Sequence, residues 1–287
     1  MSRIARLAAV AGVTVVASVS APAALGASGP YVALGDSYTA GPLVPTPTGS
    51  PILCGRSTND YPQDVRRAIS PSAFTDASCG SATTADMTQS QSLQGGLQTA
   101  PPQFNALRTN DALVTLGIGG NDAGLIGVAE ECAKLDAAWP FGTRCRDHYT
   151  SGGSDSKVTA INATGPKVAA VIQGIHSRAS QARVIVVGYP DGLPSSGTCW
   201  PVVPFSSGDV SYFNSLENRL NAVIASAAQT NGATYVDTYA SSTGHDACKA
   251  PGTAWVNGII PTSPAYPLHP NQAGEFNMAT QVLAHLP

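Results

Sequence analysis

The stretch Tyr31-Val32-Ala33-Leu34-Gly35-Asp36-Ser37 decides the fold. Its apolar run, closed by Gly-Asp-Ser, reads as a short strand buried on both faces that ends in a tight turn. Residues 112–118 repeat the pattern, an apolar run closed by Gly119-Gly120-Asn121-Asp122. Arg183–Val187 and Thr234–Val236 add two more short runs. Between the runs the period becomes helical. Tyr61, Val65, Ala68 and Ile69 share one face, as do Val168, Val171, Ile172 and Ile175. Asp209 reads as the cap of a long helix carrying Phe213, Leu216, Leu220, Val223, Ile224 and Ala227 on one side. Phe276, Val282, Leu283 and Leu286 suit a closing helix. Strands that are apolar throughout must be covered on both faces, so their alternation with helices implies a parallel sheet between two helical layers. Ligand sites in such sheets lie at the carboxyl ends of the strands, where Gly35-Asp36-Ser37 and Gly120-Asn121-Asp122 both fall.

The rest of the chain fits one exported domain. Arg3 and Arg6 precede an apolar run at residues 7–19, and small residues follow, with Ala23 and Ala27 as candidate cleavage positions. That order is a secretory signal peptide, assigned to residues 1–27, and leaves residues 28–287 as a single domain. No second apolar run is long enough for a membrane span, so no stable membrane anchor is expected. Residues 42–59, 130–156 and 190–208 are rich in Gly, Pro, Ser or Thr and read as loop insertions. Each contains cysteine. The six cysteines (Cys54, Cys79, Cys132, Cys145, Cys199 and Cys248) all follow the cleavage site and read as disulfides of an extracellular protein. Six cysteines allow 15 pairings; nearest-neighbour pairing is the simplest, and the sequence does not choose. Absence of any C-x-x-C pair excludes zinc-finger and thioredoxin spacings. A net charge of −3 gives no basic surface for nucleic acid.

A serine hydroxyl attacks a carbonyl only when a base takes its proton, and the resulting oxyanion needs donors already in place. The sequence offers those groups in Gly35-Asp36-Ser37-Tyr38, Cys79-Gly80-Ser81-Ala82, Gly119-Gly120-Asn121-Asp122 and His269-Pro270-Asn271. In this order and at these places, the four blocks resemble those of the GDSL or SGNH hydrolases. The resemblance covers nearly all of residues 28–287 and implies a three-layer α/β/α, flavodoxin-like SGNH fold with disulfide-tied loops. It implies Ser37 as nucleophile and His269 as base. The oxyanion hole would use the backbone N–H of Ser37, one N–H from Gly80 or Ser81, and the Asn121 side chain. The G-x-S-x-G elbow of the other large esterase class is absent.

Two positions depart from the family pattern. Gly80 precedes Ser81, where the glycine more often stands third in a Cys-Ser-Gly type of sequence. Tyr266 occupies the place of the aspartate three residues before the histidine, and no side-chain carboxylate lies between Ala247 and His269. His269 Nδ1 still requires an acceptor to fix its tautomer. A backbone carbonyl of Tyr266, Pro267 or Leu268 is expected to serve, that of Tyr266 first among them; the competing reading borrows Asp237 or Asp246. His148, His176, His245 and His285 read as structural or exposed.

The expectation is thus a secreted, monomeric carboxylic ester hydrolase, lipase or esterase, acting on lipid or small-molecule esters without metal or cofactor. Tyr38, Leu43, Val44 and Phe205 are candidates for an acyl pocket. A carbohydrate-ester deacetylase using the same site, or a non-catalytic binding protein of this fold, are the alternatives.

Overall fold

The computed structural model describes residues 29–287; the signal-peptide assignment to residues 1–27 lies outside the described residues. The chain runs β1 (Tyr31–Gly35), α1 (Ser37–Ala40), α2 (Tyr61–Ile69), β2 (Phe74–Asp76), β3 (Gln91–Leu93), β4 (Gln98–Ala100) and β5 (Leu113–Gly117). It continues through α3 (Gly120–Ala123), α4 (Leu125–Asp136), α5 (Arg144–Thr150), α6 (Ser156–Arg178) and β6 (Arg183–Val187). It closes with α7 (Ser207–Thr230), β7 (Thr234–Val236), α8 (Thr238–Ser242) and α9 (Gln272–Ala284). Five strands form a parallel sheet in the order β2-β1-β5-β6-β7, and β3-β4 is a separate antiparallel hairpin.

Alternation along the strands builds two cores. Val32, Leu34, Val114, Leu116, Val184 and Val186 face the layer that holds Val168, Ile172 and Ile175 of α6 and Leu216, Leu220 and Ile224 of α7. Tyr31, Ala33, Leu113, Ile185 and Val187 face Tyr61, Val65 and Ile69 of α2 and Met278, Ala279 and Val282 of α9. Burying each such aliphatic side chain contributes about 1.5–3 kcal/mol. The strand order puts the site in place. The chain leaves β1 toward β2 on one side and returns to β5 on the other, so a crevice opens at the carboxyl ends of β1 and β5, as at the topological switch points of open α/β sheets. Ser37 follows β1, and Asn121 lies just beyond β5.

Three local expectations change. Asp209 does not cap α7: Ser206 does, its side chain accepting the Asp209 N–H. The Asp209 carboxylate accepts the Cys145 and Arg146 N–H groups at 3.0 and 2.9 Å, closing the start of α5. Residues 130–156 are not all loop, since they hold the end of α4 and all of α5. Phe276 is exposed on α9, whose buried face uses Met278, Ala279 and Val282. The cysteines pair as nearest neighbours, Cys54–Cys79, Cys132–Cys145 and Cys199–Cys248. Cross-links of this kind contribute about 2–4 kcal/mol each by restricting the unfolded chain. Among the described residues, no helix is long and apolar enough to cross a membrane.

Candidate active site

Ser37 stands at the first position of α1, directly beyond β1. The turn that presents it depends on Gly35, whose φ of 151° is one that L side chains rarely adopt, and where a Cβ would strike the Thr39 side chain and the Gly117 carbonyl. The Gln103 side chain clamps this glycine, accepting its N–H and donating to its carbonyl, both at 2.8 Å. Asp36 caps the helix by accepting the Tyr38 N–H at 3.0 Å. Its other oxygen accepts the Tyr189 hydroxyl at 2.5 Å, and that hydroxyl accepts the Gly120 N–H at 2.7 Å. Tyr189 thereby ties the turn after β1 to the turn after β5. Burial pushes the Asp36 carboxyl up to about 7, while the Tyr189 and Tyr38 hydrogen bonds pull the other way.

His269 arrives from the loop before α9 and is 4% exposed. Its Nε2 lies 2.7 Å from Ser37 Oγ, and its Nδ1 lies 2.7 Å from the Pro267 carbonyl. A carbonyl can only accept, so Nδ1 carries the proton and Nε2 offers its lone pair to the serine hydroxyl. The carbonyl that faces the ring is therefore Pro267's, not Tyr266's. Tyr266 O is occupied by the His269 backbone N–H at 3.2 Å, closing a turn in which Leu268 has φ 61°. Tyr38 braces the ring. Its hydroxyl donates to the Leu268 carbonyl at 2.6 Å, and its ring centroid is 4.8 Å from that of His269. Neither distant acid faces the histidine. Asp237 caps α8 through the Tyr239 and Ala240 N–H groups, and Asp246 pairs with Lys249 and accepts the Cys248 N–H. Burial lowers the His269 pKa to about 4, with the Pro267 hydrogen bond opposing, so the imidazole is neutral at neutral pH.

The donors expected around an oxyanion divide unequally. The turn at residues 79–82 is tied to β1 by Cys79 N–H to the Gly35 carbonyl at 3.0 Å. It is tied to Asn121 by Nδ2 donation to the Ala82 carbonyl at 2.8 Å. Gly80 spends its N–H on the Cys54 carbonyl at 2.8 Å, whereas Ser81 and Ser37 N–H make no hydrogen bond among the described residues. Asn121 Nδ2 carries two protons, and Ala82 takes one. Asp122 holds Thr84 through both its backbone N–H and its hydroxyl, at 2.8 and 2.7 Å.

Ser37, Tyr38, Asn121, Leu125 and Ile126 line a small cavity over the nucleophile. Tyr38, Leu125 and Ile126 continue into a second, narrow cleft, walled also by Phe205, Phe213 and Leu268. Of the residues expected in an acyl pocket, Tyr38 and Phe205 line this cavity; Leu43 is exposed and Val44 is buried elsewhere. On the other side of Asn121 lies a wider groove with Thr83, Thr84, Thr88 and Lys167. Gln103 and Tyr189 carried no signal in the sequence, and Pro267 stood only as one of three candidate carbonyls. Each acts through a contact spanning the fold or through the dihedral of one turn residue.

The sequence profile of the GDSL-like lipase/acylhydrolase family matches residues 33–275. Lipase 2 of Streptomyces coelicolor is 37% identical over 276 residues, covering 95% of this chain and 90% of its own. The crystal structure of phospholipase A1 from Streptomyces albidoflavus superposes with a TM-score of 0.73 at 28% identity, covering 91% of this chain and all of the other. That of the extracellular lipase from Streptomyces rimosus gives 0.71 at 25% identity, covering 90% of this chain and all of the other.

Proposed function

This chain belongs to the GDSL-like lipase/acylhydrolase family and is a carboxylic ester hydrolase, and we propose that it cleaves lipid acyl esters through a Ser37–His269 dyad with a backbone carbonyl in place of the triad acid. The observation that carries this reading is the linear arrangement Ser37 Oγ, His269 Nε2, His269 Nδ1 and Pro267 O, with 2.7 Å at each hydrogen bond. Ser37 Oγ attacks the ester carbonyl as its proton passes to Nε2. The oxyanion receives the Ser37 N–H, the Ser81 N–H and the second Nδ2 proton of Asn121. Gly80 is not assigned, because its N–H is held by Cys54. Imidazolium returns the proton to the departing alcohol, and water, deprotonated by the same Nε2, releases the acid. Pro267 O keeps the tautomer and steadies the transient imidazolium with a dipole rather than a full charge.

The narrow, mostly apolar cleft that runs from Ser37 past Tyr38, Leu125 and Ile126 toward Phe205 and Phe213 would receive the acyl part, and the threonine-lined groove beyond Asn121 suits the polar alcohol part. Names of relatives agree, being two lipases and a phospholipase A1. An apolar acyl cavity favours lipid esters over the acetyl groups of carbohydrates. Secretion follows from the N-terminal Arg3, Arg6 and apolar run together with three disulfides, and one relative is named an extracellular lipase. A monomer is sufficient for the chemistry, since every proposed group comes from one chain.

The dyad is tested by Asp237→Asn and Asp246→Asn, assayed for kcat on p-nitrophenyl butyrate alongside melting temperature. Both variants are expected to turn over within about fivefold of wild type, since neither carboxylate touches the histidine. A loss of about a thousandfold in a folded variant, the size expected for a triad acid, would identify that aspartate as the missing partner and end the dyad reading.

A further inference from the structure

The wall of the acyl cavity contains one carboxyl group. Glu217 lies on α7, four residues after Phe213 and three before Leu220; its buried polar neighbours on that face, Asn214 and Asn221, donate to the Pro194 and Tyr189 carbonyls and do not line the cavity. It is 3% exposed, and it shares the cavity with Tyr38, Leu125, Ile126 and Phe205. Glu217 Oε2 accepts the Gly192 N–H at 3.2 Å; Oε1 makes no hydrogen bond, and no cation pairs with the carboxyl, among the described residues. A leucine would fill this position without any polar atom to satisfy. A carboxyl here breaks the local packing rule, and such breaks concentrate where a molecule binds.

We propose that Glu217 sets the acyl selectivity of this enzyme, favouring short acyl groups that stop before its carboxyl over long unsubstituted alkyl chains. The inference rests on the reading that this cavity receives the acyl part of the ester. A short chain stops before the Glu217 oxygen and leaves it uncovered. A longer one covers that oxygen with methylenes, which cut it off from solvent and offer it no hydrogen bond, and this forfeits roughly a factor of ten in binding. Burial supports this: it pushes the Glu217 carboxyl up to about 8, so at neutral pH the group is a neutral acid with an O–H to place as well as an oxygen. Tyr38 borders both this cavity and the one over Ser37, and its hydroxyl donates to the Leu268 carbonyl rather than to Glu217.

The experiment compares kcat/KM on p-nitrophenyl butyrate and p-nitrophenyl decanoate, in one detergent, for wild type, Glu217→Leu and Glu217→Gln. Wild type is expected to prefer butyrate. Glu217→Leu should raise the decanoate-to-butyrate ratio about tenfold, while Glu217→Gln, which keeps a hydrogen-bonding group at the same depth, should hold the ratio within about threefold. A leucine variant that alters both esters in proportion would reduce Glu217 to a support for the Gly192 loop and overturn the proposal. If the leucine variant fails to fold, wild type decides: a preference for decanoate overturns the proposal without any substitution. Wild type inactive on both esters would instead overturn the ester-hydrolase mechanism beneath it.

Discussion

Ser37→Ala and His269→Ala each lower kcat on p-nitrophenyl butyrate by about 10⁴–10⁶, and the double variant loses little more than either single one. The two side chains act as one device, a nucleophile that is inert without its base and a base with nothing to deprotonate without its nucleophile. Removing either half removes the whole. Purified variants assayed by stopped and continuous methods, with melting temperature as the folding control, check this; multiplicative losses in the double variant would mean two independent roles. His269 adds a pH signature. The folded imidazole titrates at about 4 rather than 6.5, so kcat/KM should hold through pH 6.5 and fall only as pH approaches 4. Stability moves in the same direction. Between 6.5 and about 4 the unfolded chain binds a proton that the buried imidazole refuses, so the native state loses stability as pH falls through this window. Each unit of that window is worth about 1.4 kcal/mol at most, and His269→Ala escapes the loss.

Asn121→Ala is expected to cost about 10²–10³ in kcat with little change in KM, the pattern of a donor needed mainly when charge appears on the carbonyl oxygen. Part of this loss is geometric, because Asn121 Nδ2 also holds the Ala82 carbonyl and with it the turn that carries Ser81. Asn121→Asp separates the two contributions poorly, since it replaces the donor with a negative charge beside a forming oxyanion, and should be at least as impaired as the alanine variant. Steady-state kinetics on p-nitrophenyl butyrate read the effect. A loss confined to KM would make Asn121 a substrate-binding residue without a role in the transition state.

Much of this architecture is written locally. The strands at residues 31–35, 113–117 and 183–187 are largely apolar and buried, the signature of a strand covered on both faces, and the edge strand at 234–236 is a shorter, half-buried run. Phe74–Asp76 and the hairpin Gln91–Leu93 with Gln98–Ala100 are three residues each and largely polar, too short for any period to register. The helix after Ser206 is legible, but its cap is not Asp209: a serine three residues upstream has the free N–H groups within reach, and the aspartate serves another helix. Ser37, His269 and Asn121 stand out because four blocks in order resemble those of the GDSL or SGNH hydrolases; taken singly, each block is an ordinary turn or helix cap. The orienting carbonyl is not legible, since choosing Pro267 over Tyr266 depends on the left-handed φ of Leu268. Neither is the division between Gly80 and Ser81, which depends on Cys54 taking the Gly80 N–H across a disulfide-tied loop. Gln103, Tyr189 and Glu217 are ordinary residues in the sequence, and only long-range packing brings them to Gly35, Asp36 and the acyl cavity.

The central claim is an acyl group carried on Ser37, and mass spectrometry of protein trapped with a p-nitrophenyl alkylphosphonate tests it most directly. The account predicts one adduct per chain, on the peptide containing Ser37, absent from Ser37→Ala and slowed severely in His269→Ala. An active enzyme that forms no adduct, or one labelled on a different residue, would contradict it.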